Sequence, residues 1–124
     1  MSRQIKLVIA DHSTLAANIY RLLFFPLSAD LVIRKKFEET RPFFFRREKI
    51  DIAIFNSNIF GKKFEEIINQ FEEVDPLKKM KKIFICKPSK DGQLEKRIKH
   101  LENSTIVKRP FHPDELYEVV GRLL

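Results

Sequence analysis

The chain has 124 residues, 44% hydrophobic and 33% charged, the proportions of one globular domain with a real core and not of a disordered segment. No apolar run approaches the roughly 18 residues of a membrane-crossing helix, and the lone cysteine, Cys86, excludes an intramolecular disulfide. The formal net charge of +7 is uneven: from Lys78 to Arg109 eleven Lys and Arg stand against three acids (Asp91, Glu95, Glu102), a local balance of +8, while the remainder carries thirteen against fourteen.

Ile5 to Ala10 is almost wholly apolar, as expected of a strand covered on both faces. Ser13 or Thr14 can cap the helix that follows, and Leu15, Ile19, Leu22 and Leu23 at i, i+4, i+7 and i+8 predict its inward stripe. Pro26 stops that helix. Leu31 to Ile33 predicts a brief second strand. Thr40 and Pro42 then open a short helix holding Phe43, Phe44 and Phe45. Successive helical residues point about 100° apart, so three consecutive rings cannot all face one core. At least one is expected at the surface, and Phe43 and Phe44 are candidate anchors for a partner.

Ile50 to Phe55 is the third strand, ending in Asn56. Gly61 closes the loop, and Phe64, Ile67, Ile68 and Phe71 give the inward face of a third helix. Asp75-Pro76 marks a turn, and Ile83 to Cys86 is the fourth strand. Ser89 can cap a fourth helix with Leu94, Ile98 and Leu101 on one face, its first turn weakened by Gly92. Thr105 to Val107 is the fifth strand. Pro113, Asp114 and Glu115 start a last helix that buries Leu116, Val119, Val120 and Leu123.

Short apolar strands alternating strictly with amphipathic helices imply an α/β fold, a parallel sheet with helices on both faces. Sites in such folds lie at the carboxyl ends of strands, here Asp11, Asn56, Lys87 and Arg109. His12, His100 and His112 are scattered and no cluster has metal-ligand spacing; surface or capping roles are expected for His12 and His112, and a buried apolar role for Cys86.

Asp51-Ile-Ala-Ile-Phe-Asn56-Ser-Asn-Ile-Phe60-Gly61 resembles the phosphoacceptor strand and loop of bacterial response-regulator receiver domains. Leu7-Val-Ile-Ala-Asp11 and Lys108-Arg-Pro-Phe111-His-Pro-Asp-Glu-Leu116 are similar to that family's first strand and its Lys-Pro-Phe loop. The resemblance runs over nearly the whole chain, residues 1–124 as one receiver-like domain. It implies a (βα)5 doubly wound, flavodoxin-like sheet in the order 2-1-3-4-5. It also implies a place in two-component signal transduction.

The family uses an acid pair to hold Mg²⁺, an aspartate as phosphoryl acceptor, a Ser or Thr after strand four and a Lys in the strand-five loop. These offset charge on the transferring phosphoryl group. On this chain the pair is Ala10 and Asp11, the acceptor is Asn56, the hydroxyl position is Lys87, the lysine position is Arg109 and the aromatic switch is Ile106. An amide is a far poorer nucleophile than a carboxylate.

The resemblance therefore implies a degenerate, phosphorylation-independent pseudo-receiver, not an enzyme, with Mg²⁺ binding weak or absent and no other cofactor. Lys87 or Arg109 could instead pair with Asp11.

Function is then expected in protein–protein interaction with an acidic partner, through the basic strand 4–helix 4–strand 5 region. Lys90, Lys96, Arg97, Lys99 and Lys108 are its candidates. A homodimer through helix 4, strand 5 and helix 5 is a further expectation. The alternative is nucleic-acid binding by the 78–109 stretch, and the third reading is an active phosphoacceptor receiver. Met1-Ser-Arg-Gln runs directly into a strand with no visible signal peptide, so a bacterial cytoplasm is the expected setting.

Overall fold

A computed structural model describes residues 4–45, 49–75, 77–87, 92–109 and 111–124, apart from the Lys62 side chain. Five strands alternate with five helices: β1 (Lys6–Ala10), α1 (Thr14–Phe24), β2 (Asp30–Arg34), α2 (Phe37–Phe44), β3 (Ile52–Asn56), α3 (Phe64–Glu73), β4 (Lys82–Cys86), α4 (Gln93–Lys99), β5 (Ser104–Lys108) and α5 (Pro113–Leu123). All strand pairs are parallel and the order is β2-β1-β3-β4-β5, the expected doubly wound sheet. Chain order reverses between β1 and β3, where Val8 sits opposite both Val32 and Ala53.

Strand alternation sorts the core into two layers of different chemistry. Val8, Ala10, Ala53, Phe55, Phe84 and Cys86 face α2, α3 and α4, and this layer is aromatic. Phe55 is its hub, with ring centroids 5.1 Å from Phe71, 5.5 Å from Phe84 and 5.9 Å from both Phe37 and Phe44. Leu7, Ile9, Ile52, Ile54, Ile83, Ile85 and Val107 face α1 and α5 in an aliphatic layer. There Leu116, Val119 and Val120 supply the buried face of α5, as its periodicity predicts.

Helix ends follow local chemistry. The Ser13 hydroxyl accepts from Ala16 N at 3.1 Å to cap α1, and His112 Nδ1 accepts from Asp114 N at 3.2 Å to cap α5, a capping role as expected for that histidine. Gly92 precedes α4 at φ +67°, a left-handed geometry that glycine adopts without steric cost. Ser89, the expected cap of α4, lies outside the described residues.

Two expectations are corrected. The buried face of α1 is Ala17, Tyr20 and Phe24, whereas Leu15, Ile19 and Leu22 are exposed and Leu23 is half-buried. Apolar and aromatic residues fill eight of the eleven positions of α1, so periodicity admits two stripes; the sheet takes the one with a small residue for close approach and a polar tip for the site. Helix α2 begins at Phe37, three residues before Thr40, because Phe37 drops into the aromatic layer. Thr40 then sits inside the helix, its hydroxyl donating to Phe37 O at 2.7 Å.

The phenylalanine triplet divides as its geometry requires. Phe44 is buried in the core and is no partner anchor, Phe43 is half-buried beneath the Arg34 guanidinium, and Phe45 is exposed.

At the other end of the sheet, Lys82 is completely buried at the start of β4. Its Nζ donates to Met80 O and Glu102 O at 2.8 Å, Leu77 O at 3.1 Å and Lys78 O at 3.2 Å, pinning the loops that precede β4 and β5. Burial pulls this ammonium down to about 8, with the Glu102 charge opposing it. The carbonyls can only accept, so the ammonium with its three donors serves them better than the neutral amine with two.

Candidate functional site

Strands β1 and β3 deliver Asp11 and Asn56 side by side at the reversal point. Asp11 N bonds to Arg34 O at 2.9 Å, extending the sheet by one step and aiming the carboxylate inward, 1% exposed. Asp11 Oδ2 accepts from the Tyr20 hydroxyl at 2.7 Å and from Asn56 Nδ2 at 3.1 Å. Oδ1 accepts from Ser13 N at 3.0 Å, and His12 Nδ1 lies 4.0 Å away on the solvent side. The Asn56 oxygen is turned the other way, accepting from Asn58 N at 3.2 Å.

A buried acid held by three donors is satisfied without an ion. The Tyr20 phenol is raised far above its ordinary range, by burial first and then by the Asp11 hydrogen bond and charge, with the Arg109 charge opposing. Tyr20 is therefore a permanent donor in this network. Sequence reasoning did not identify it. Its signal lies in Ala17, Tyr20 and Phe24, an i, i+3, i+7 row with one polar tip.

These donors do not fit a magnesium ion. Mg²⁺ takes oxygen ligands in octahedral array, held by one or two carboxylates. Here Asn56 points its nitrogen at Asp11, Ala10 supplies no side-chain oxygen, and no group of three His, Cys, Asp or Glu among the described residues could hold a metal.

The other expected site positions are spread around this network. Arg109 lines the same cleft of about 260 Å³ as Asp11, His12, Tyr20, Asn56 and Phe111. Its Nε and Nη2 are buried with no hydrogen-bond partner among the described residues, and its backbone N donates to Cys86 O at 2.8 Å. Lys87 is exposed. Neither cation makes the ion pair with Asp11 that the sequence left open; Tyr20 and Asn56 take that place. Ile106 is half-buried against the aromatic layer. Cys86 is fully buried, its thiol pushed up to about 11 chiefly by burial, which makes it an unreactive core residue.

The basic stretch is less basic in space than in sequence. Lys82 is buried, and Arg97 on α4 reaches α3, where it bonds Glu65, Glu72 (3.1 Å) and Asn69 (3.1 Å). Glu72 and then Glu65 raise the Arg97 guanidinium further above its ordinary value. Lys78 lies 3.9 Å from Glu102 and Lys79 3.8 Å from Asp75. Lys96, Lys99 and Lys108 are exposed, and Lys90 lies outside the described residues.

No family model matches the sequence, and no curated protein matches it. Solved structures do. A response regulator receiver protein from Pseudomonas putida aligns with TM-score 0.81 at 14% identity, covering 98% of this chain and 99% of that one. The signal receiver domain of an HD domain-containing protein from Pseudomonas fluorescens Pf-5 gives 0.79 at 13%, covering 100% and 89%. A chemotaxis response regulator of Vibrio cholerae gives 0.76 at 14%, covering 98% and 100%. At such identities the likeness establishes architecture: the chain has the fold of response-regulator receiver domains, with an asparagine and a tyrosine closed over its buried aspartate.

Proposed function

We propose that this chain is a receiver-like signalling module that works without phosphorylation and acts by binding another protein. One observation carries the reading: the buried acid at the reversal point is saturated from within by Tyr20, Asn56 and Ser13 N, and the residue beside it is an amide. The amide offers neither a nucleophilic carboxylate nor a second metal ligand. The network holds β1, β3 and α1 in one arrangement, so the surface is displayed constitutively.

The binding surface is the exposed basic edge formed by Lys87, Lys96, Lys99 and Lys108. It suits an acidic partner, whose association a positive field accelerates. Arg97 is a positioning residue that ties α4 to α3. Burial of Lys82 and pairing of Arg97, Lys78 and Lys79 reduce the charge available to a nucleic acid, so the protein partner is favoured.

The test is incubation with acetyl phosphate, or with beryllofluoride and Mg²⁺. Intact mass is expected to stay unchanged, and amide resonances of Asp11, Asn56 and Arg109 are expected not to move. A mass gain of one phosphoryl group would overturn the reading.

A further inference from the structure

Helix α1 presents an apolar face that the rest of the described chain leaves uncovered. Leu15, Ile19, Leu22 and Phe25, the residue just past the helix, are 72%, 43%, 78% and 81% exposed. The first three fall at i, i+4 and i+7, the spacing of a seam between paired helices. Together the four expose on the order of 500 Å², the size of the largest apolar patch on a typical monomer, which is often functional.

Composition agrees. In a chain one-third charged, His12 to Ala29 holds one charged side chain, Arg21, which donates to Asn18 at 3.1 Å. The outer face of α3 shows what a solvated helix looks like in this protein: Glu65, Glu66, Asn69, Glu72 and Glu73 are all exposed.

We propose that a second copy of this chain docks on that face, forming a two-fold dimer through antiparallel α1 helices. Self-complementarity selects a second copy, and charge selects the face. Each protomer carries +7, and its exposed lysines on α4 lie across the sheet from α1. Contact through α1 joins a surface poor in charge and keeps the two α4 helices apart. Contact through α4 would set Lys96 and Lys99 against themselves.

Symmetry and area agree with that choice. A two-fold axis at Ile19 places Leu15 of one copy beside Leu22 of the other, with Phe25 closing each end, the self-complementarity an isologous interface requires. A standard interface buries about 800 Å² per partner around an apolar centre with a polar rim. The four side chains supply the centre, and exposed Thr14, Asn18 and Arg21 supply the rim. Tyr20, one residue past Ile19, is pinned to Asp11, so the face is carried on a fixed helix.

Sedimentation equilibrium from micromolar to near-millimolar protein tests this. Mass is expected to rise to twice that of the chain, and Leu22→Glu or Leu15→Lys is expected to stay monomeric with an unchanged far-UV spectrum. Ile19→Cys is expected to give a disulfide-linked dimer on oxidation, since Cys86 is buried. The Lys96→Glu, Lys99→Glu pair should leave the dimer intact. A wild type monomeric throughout, a dimer that survives both leucine substitutions, or one lost only on reversing the α4 lysines would overturn the proposal. None of these outcomes bears on phosphorylation.

Discussion

Asn56 donates from Nδ2 to Asp11 Oδ2 at 3.1 Å while its oxygen accepts from Asn58 N at 3.2 Å. The amide is the group this geometry needs: it is the donor on one side and the acceptor on the other. A carboxylate could serve only the loop side.

Asn56→Asp is therefore expected to destabilise the fold, by about 1–3 kcal/mol at neutral pH, because an N–H···O bond becomes a contact between two buried acids. Acid should relieve it by protonating one of the pair, and millimolar Mg²⁺ should raise the melting temperature of the variant more than that of the wild type. Acetyl phosphate should still add no mass. Urea melts at two pH values, with and without Mg²⁺, measure the first effects, and intact mass the last.

Removing the Tyr20 hydroxyl takes away the shortest bond to Asp11. Tyr20→Phe is expected to cost about 1–3 kcal/mol, with a smaller loss when Asp11 is already Asn, since the hydroxyl then no longer serves a buried charge. A double-mutant cycle by denaturant unfolding reads the coupling directly; strict additivity would contradict it.

Lys82 sets a pH dependence whose sign follows from burial. Its folded value, about 8, lies below the ordinary lysine value of 10.5, so between them the unfolded chain holds a proton the folded chain has released. Stability then rises with pH wherever the unfolded state binds more protons. Across pH 8 to 10.5 the wild type is expected to gain stability relative to Lys82→Met. Parallel curves for the two proteins would be the contrary result.

The phenylalanine triplet offers a contrast of neighbours. Phe44→Ala opens the aromatic layer and should cost about 3–5 kcal/mol, while Phe45→Ala, on an exposed ring, should stay within about 0.5 kcal/mol. Thermal or urea unfolding of the two variants distinguishes them.

On α4, adjacent cations should behave differently. Arg97→Glu is expected to lower the melting temperature, because Arg97 lies between Glu65 and Glu72. Lys96→Glu and Lys99→Glu should leave melting unchanged and weaken binding of an acidic partner, chiefly through the association rate. Thermal melts and a salt-dependent kinetic binding assay separate the two roles.

Element order, the parallel sheet, the inward faces of α3 and α5 and the arrival of Asp11 and Asn56 at one edge were legible in the sequence. Each rests on short-range periodicity or on strand alternation, properties a linear pattern carries. The assignment of Ala10, Lys87, Ile106 and Arg109 to altered family positions rests on the resemblance alone. Three matters needed the tertiary structure. Helix α1 carries two apolar stripes, so its buried side was chosen by its neighbours: Ala17 permits close packing, and Tyr20 finds a buried acceptor. Lys82 and Arg97 read as surface charge, yet one is taken into the interior by four carbonyls from the loops before β4 and β5 and the other is paired at the surface with acids on a different helix. Asp11 had several possible partners along the chain. Which donors reached it depended on distances of about 3 Å between β1, α1 and β3, set by how the two core layers pack and invisible to any spacing along the sequence.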